Sequence, residues 1–177
     1  MIDAMKTFLY FAYGSNMHTR RLQQRTPSAC KAGTGFVTGR RLAFHKVSHD
    51  GSGKCDIEAT TSATEKVYGV LFTIARSEKA ALDRVEGLGI GYDEAIFTVH
   101  KTDGTEVKAL AYIATATDPA MRPYEWYKAL VVAGAIEHGL PQEHIERIRA
   151  FRAQPDPNEH RRAEHERLLI QNTQGLD

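Results

Sequence analysis

Two stretches of this 177-residue sequence hold residue types that could do chemistry. The first is Phe8-Leu9-Tyr10-Phe11-Ala12-Tyr13-Gly14-Ser15-Asn16-Met17, an apolar and aromatic run that breaks without a polar spacer into Gly14-Ser15-Asn16. Where a strand turns into a helix, backbone N–H groups point outward with partial positive charge, so a carboxylate or an oxyanion is their natural guest. Gly14 removes the Cβ from that turn and lets a ligand approach the backbone. Ser15 and Asn16 add donors from side chain and main chain alike. The plainer alternative is a turn with a helix cap.

The second stretch is Glu86-Gly87-Leu88-Gly89-Ile90-Gly91-Tyr92, one carboxylate followed by three alternating glycines and flanked by apolar Val85, Leu88 and Ile90. A carboxylate at a helix end among apolar neighbours is the arrangement from which proteins make a general acid/base. The alternative is a solvated last-turn residue followed by a glycine helix stop and a turn. The glycines are not a dinucleotide fingerprint, because they follow a helix and lead into a strand. Ser15 lacks a Gly-x-Ser-x-Gly elbow and an assigned histidine base, which weakens it as a nucleophile. His144, His160 and His165 make no metal-binding spacing and read as solvated surface, so no metal is expected.

These residues must be carried by recognisable elements. Residues 8–13 are too short for a helix and rich in aromatics, which suits a strand covered on both faces. A short helix follows to Arg25, stopped by Pro27. Gly-Phe-Val and Arg-Leu-Ala-Phe-His within 33–47 read as strand pieces, 48–54 as a flexible polar loop, and 56–61 as a further strand. Val67 to Ile74 is a second continuous apolar strand, whose Gly69 would admit a neighbouring backbone or a ligand. Ser77 resembles the N-cap of a helix ending near Gly87. Residues 92–101 and 106–115 alternate around Thr102-Asp103-Gly104-Thr105 as a hairpin. Tyr124 to His138 reads as a helix apolar nearly all round, serving equally a core or a dimer face, so a homodimer is left open. Pro141 opens a helix from Gln142 to Arg152, and Asn158 caps a last one to about Gln171. Residues 1–6 are a loose lead-in. The division expected is a catalytic domain over 1–155 and a helical extension over 156–177 that packs on it or trails it.

Composition narrows the partners. The chain is 42% hydrophobic and 25% charged, enough for one well-filled core. Twenty-three basic against twenty-two acidic residues give a formal charge of +1, so nothing draws it globally to nucleic acid or to an anionic membrane. A small neutral or zwitterionic partner fits better. Cys30 and Cys55 form no disulfide framework, and with no signal-peptide pattern and no spanning apolar run the expected setting is the cytoplasm.

Several segments in one order carry a resemblance. The Tyr13-Gly14-Ser15-Asn16 turn after its strand, Val67 to Phe72, Leu82-Asp83 followed by Glu86-Gly87 and Tyr92, and Tyr127-Lys128 leading to Gly134-Ala135 and His138-Gly139-Leu140-Pro141 look like the γ-glutamylcyclotransferases, the AIG2-like fold. The likeness covers roughly Phe8 to Ala150. It implies an α+β fold, a small mixed β-barrel with flanking helices, with no cofactor. It implies a lyase that releases 5-oxoproline from a γ-glutamyl amino acid or γ-glutamyl amine. By position, Glu86 matches the catalytic acid/base, Tyr13, Gly14, Ser15 and Asn16 the substrate-binding turn, and Tyr127 a further substrate contact, with Tyr92 lining the pocket. Two departures stand out. The interval from Glu86 to Tyr92 is one residue shorter than in animal members, and the glutathione-specific branch usually has Leu where this chain has Asn16. The leaving group therefore stays open, natural-product γ-glutamyl amides included, and so does a non-catalytic carboxylate-binding module on the same scaffold.

Overall fold

In the computed structural model, which describes residues 6–170, the first strand is β1 (Thr7–Ala12). Phe11 and Ala12 are fully buried and Tyr10 nearly so, although successive side chains point to opposite faces. Both faces are covered, as the continuous apolar run requires. The next elements are α1 (Thr19–Arg25), β2 (Cys30–Thr38), β3 (Arg40–Val47), β4 (Gly53–Ala59) and β5 (Lys66–Ala75). They are followed by α2 (Lys79–Glu86), β6 (Tyr92–Lys101), β7 (Glu106–Ala114), α3 (Glu125–Glu137), α4 (Gln142–Ala150) and α5 (Glu159–Ile170).

Five strands close into a barrel in the order β1-β5-β2-β6-β7. β1 pairs antiparallel with β5, Tyr10 opposite Phe72 and Ala12 opposite Val70. The ring is completed by a parallel contact of Tyr10 with Leu110 on β7. Closure removes free strand edges, which otherwise invite association. Gly69 on β5 is the point of closest approach: a Cβ there would lie 2.4 Å from the Ala12 carbonyl oxygen. The neighbour it admits is therefore β1, not a ligand. The β6–β7 hairpin forms as expected, from Tyr92 opposite Ala114 to His100 opposite Glu106.

β3 and β4 make a separate two-stranded ribbon, with an irregularity in register between Ala43 and Lys46. It is tied to the barrel by Asp56, whose carboxylate accepts from the Ala114 N–H at 2.9 Å, and by the Val47 N–H on the Ala116 carbonyl at 3.0 Å. The 48–54 loop is shorter and better ordered than a flexible connector. β4 already begins at Gly53, and Asp50 accepts from the Ser52 hydroxyl at 2.7 Å and pairs with Lys54 at 2.7 Å.

Helix α3 lies on the turn after β1. Gly134 is the reason it can: a Cβ there would sit 2.6 Å from the His18 nitrogen. Its apolar girth is taken up by the turn after β1 and by α4 and α5, with Trp126, Tyr127, Leu130, Val131 and Ala135 all buried. α5 packs on α3 through buried Leu168 and through Asp156, which accepts from the Trp126 indole at 2.8 Å and from Arg161 at 2.7 and 2.6 Å. Two local expectations fail. Residues Arg76–Glu78 form a 3-10 turn and α2 starts without a side-chain cap, so Ser77 is not an N-cap. α4 ends at Ala150, leaving Phe151 just beyond it. The lead-in before Lys6 and the residue Gln171 fall outside the described residues. No helix among those residues is long and apolar enough to cross a membrane.

Candidate active site

The turn after β1 is a 3-10 turn, Ser15–Met17, with the Met17 N–H on the Gly14 carbonyl at 3.0 Å and the His18 N–H on Ser15 at 3.2 Å. The N–H groups that open such a turn have no partner inside it. Gly14 has a φ of −110°, so its conformation is not left-handed. Space explains it instead: a Cβ would meet the Cys55 side chain at 3.0 Å and the Tyr127 hydroxyl at 3.4 Å. Glycine brings the turn onto β4 and α3.

Glu86 is the last residue of α2. Gly87 stops the helix in the left-handed region, φ 67°, and the Leu88 N–H returns to the Asp83 carbonyl at 2.9 Å. That stop aims the Glu86 side chain back at the turn. Its Oε1 accepts from Asn16 Nδ2 at 2.8 Å and lies 3.6 Å from Arg25 Nη1. Asn16 Nδ2 also reaches the Tyr10 hydroxyl at 3.0 Å, while its Oδ1 accepts from Arg25 at 2.9 Å. The apolar setting expected for Glu86 is not what surrounds it. Val85, Leu88 and Ile90 are exposed to solvent, and the groups at the carboxylate are polar and cationic.

The turn and Glu86 face one cavity of about 140 Å³. Tyr13, Gly14, Ser15, Asn16, Tyr92, Tyr127 and Glu86 all line it. Their phenols are fixed by main chain. Tyr92 donates to the Cys55 carbonyl at 2.8 Å, Tyr127 accepts from the Cys55 N–H at 3.1 Å, and Tyr13 donates to the Tyr112 carbonyl. Burial pushes all three phenols well above their ordinary range, so they stay neutral.

Sequence reasoning missed the cations. Arg21, Arg25, Lys46 and Lys54 line the same cavity. Arg21 is buried, donating to Ser15 Oγ at 3.0 Å and to His165 Nδ1 at 3.1 Å, and it has no carboxylate at ion-pair distance among the described residues. Burial depresses its pKa, with the nearby Arg25 charge adding to this. The guanidinium keeps its proton in proteins, so a buried cation without a carboxylate partner favours an anion in the cavity. His165 stacks on Trp126 at 3.9 Å between ring centres, so the C-terminal helix supports the pocket wall. The surface reading of His165 and of His144 is corrected: His144 is buried on α4, and His165 is half-buried against Trp126. His160 is exposed as expected. The charged, amphipathic look of both helices hid these contacts, although the period that places Arg21 and Arg25 one turn apart on α1 was there to find. Among the described residues no group of three or more His, Cys, Asp or Glu could hold a metal ion.

Comparison with known proteins sets the class first. An AIG2-like family model matches residues 66–148, and a solved γ-glutamyl cyclotransferase superposes with a TM-score of 0.82 at 27% identity over 92% of this chain and 99% of that one. YkqA from Bacillus subtilis shares the fold, with a TM-score of 0.70 at 22% identity over 84% of this chain and 56% of that one. The mouse γ-glutamylcyclotransferase is 33% identical over 160 residues, covering 88% of this chain and 82% of its own, and the human one is 32% identical over 169 residues with the same coverage. The chain belongs to the γ-glutamylcyclotransferase family.

Proposed function

We propose that this protein is an enzyme, a γ-glutamylcyclotransferase that converts a γ-glutamyl amide into 5-oxoproline and a free amine, with Glu86 as the acid/base. The observation that carries the reading is the 2.8 Å hydrogen bond from Asn16 to Glu86, which joins the turn and the carboxylate across one cavity. The relatives named above bear that activity in their names.

The substrate's own α-amine attacks its side-chain carbonyl carbon. A C–N bond forms to close the ring, and the bond to the leaving nitrogen breaks. No protein nucleophile is required. The pocket must fold the substrate into attack geometry, which is worth several kcal/mol in intramolecular reactions. Glu86 takes a proton from the α-ammonium and returns it to the leaving nitrogen. The Arg21 guanidinium behind Ser15, which has no carboxylate at ion-pair distance among the described residues, supports, with the N–H groups of the turn, giving the α-carboxylate to that wall. The neutral phenols of Tyr13, Tyr92 and Tyr127 shape the cavity, and the chemistry calls on no cofactor.

A cytoplasmic setting belongs to the same reading and rests on two free thiols, Cys30 on the surface and Cys55 buried. The test is release of 5-oxoproline from a panel of γ-glutamyl amino acids and amines. Glu86→Gln should lose about 100-fold or more in kcat while still binding substrate by calorimetry. Turnover of none of the panel by the wild type, or a fully active Glu86→Gln, sinks it.

A further inference from the structure

We infer that Lys46 is a specificity-determining residue, a cation set beside Glu86 to take a carboxylate carried by the leaving amine. The inference rests on the cyclotransferase reading and extends it to the half of the substrate that departs.

Three of the four cations in the cavity have partners. Lys54 is bound to Asp50 at 2.7 Å, Arg25 holds Asn16 at 2.9 Å and lies 3.6 Å from Glu86, and Arg21 is held by Ser15 and His165. Lys46 differs. The residue is only 7% exposed, yet its ammonium makes no hydrogen bond and no ion pair at contact distance with any described residue. It rests over the Tyr92 ring, 4.8 Å from the centroid, at the cavity wall. A cation–π contact of this kind replaces only part of the hydration an ammonium loses. Burial lowers its pKa, with the charges of Glu86 and Asp50 working the other way. An anion in the cavity would complete the site.

Gly91 gives independent support. It is not in a left-handed conformation, so its backbone does not demand glycine. A Cβ there would meet the Lys46 ammonium at 2.9 Å and the Glu86 carbonyl oxygen at 3.3 Å. The third glycine after Glu86 therefore makes room for the lysine head, and it puts that head next to the helix end that carries the acid/base. The leaving nitrogen must come to Glu86 to be protonated. A carboxylate one carbon from that nitrogen then lies on the Lys46 side, while the α-carboxylate keeps the Arg21 wall. Lys46 leaves the ribbon where its register shifts, between Ala43 and Lys46.

The test compares γ-glutamyl-alanine with γ-glutamyl-ethylamine, which differ by that one carboxylate, in wild type, Lys46→Met, Lys46→Arg and Gly91→Ala. The wild type should prefer the alanine amide by tenfold or more in kcat/KM. Lys46→Met should bring the ratio within about threefold of unity, mainly through KM for the alanine amide, and Lys46→Arg should restore part of it. Gly91→Ala, which displaces the ammonium without removing it, should lower the ratio as well. Equal fractional losses on both amides would assign Lys46 to the common γ-glutamyl part or to folding and overturn the inference. So would a wild type indifferent to the carboxylate, while leaving the cyclotransferase reading intact. A wild type that releases 5-oxoproline from neither amide, nor from the wider panel, takes both readings down.

Discussion

Asn16 is the side chain on which the site turns, because its amide spends both ends on charged or phenolic groups. Nδ2 donates to Glu86 and Tyr10, and Oδ1 accepts from Arg25. Hydrogen bonds to charged groups contribute about 1.5–3 kcal/mol each. Asn16→Ala should therefore lower kcat/KM by about 10- to 100-fold, read from 5-oxoproline release, with circular dichroism unchanged. Asn16→Asp should be worse, because a second carboxylate at 2.8 Å from Glu86 would oppose its ionisation. Its activity should recover only at higher pH. The turn and Glu86 were legible in the sequence, since Gly-Ser-Asn and Glu-Gly announce special backbone. The cations were not. Arg21, Lys46 and Lys54 sit in charged or mixed stretches, and burial of a charge is decided by what packs over it from elsewhere in the chain.

Elements bring these residues together by close approach more than by length. α3 reaches the turn because Gly134 leaves no side chain between them. Gly134→Ala should destabilise the protein by about 1–3 kcal/mol through overpacking, a fall of several degrees in Tm, and should depress activity beyond what stability explains by displacing the turn. α5 is held by the Arg161–Asp156–Trp126 set. Arg161→Ala leaves buried Asp156 short of two donors and should cost about 1–3 kcal/mol in chemical denaturation. The strands and helices were largely legible from period and punctuation, with β1, β5, the β6–β7 hairpin and α3 the clearest. The start of α2 was not, because the 3-10 turn Arg76–Glu78 takes the place of a side-chain cap. The role of the 48–54 loop was also hidden. Gly-Ser-Gly reads as slack, whereas Asp50 ties it to Lys54 and Ser52 at the cavity.

At the scale of the whole molecule, buried histidines set the acid limit. Burial lowers His144 from 6.5 to about 4, and lowers His165 from 6.5 to about 4 with the Arg21 charge adding to it. His18 and His138 are lowered in the same direction by burial. An unfolded chain would bind protons at these rings near their ordinary value, whereas the folded one resists until well below it. Between those limits the unfolded state holds more protons, so stability is full above pH about 6.5 and falls as pH drops towards 4. Each of His144 and His165 contributes on the order of 3 kcal/mol at most, and less for the half-exposed His165. Denaturation midpoints at pH 7 and pH 4.5 should differ accordingly, and His144→Phe with His165→Gln should flatten the profile. A stability that rises on acidification contradicts this account. Closure of the barrel was a matter of resemblance in the sequence, because the pairing of β1 with β7 joins residues a hundred positions apart that no local pattern links.

Cys55 lies at the meeting point of the turn, the ribbon and two site tyrosines, its peptide held on both sides by Tyr92 and Tyr127 and its side chain against Gly14. Burial raises its pKa far above that of an ordinary thiol, while Cys30 is exposed. The protein thus contains two thiol clocks of different speed. Cys30 should be alkylated at once in the native state, and Cys55 only when the ribbon parts from the turn. A ligand in the cavity should slow the second clock and leave the first untouched, so occupancy can be timed by mass spectrometry even with substrate analogues that never turn over.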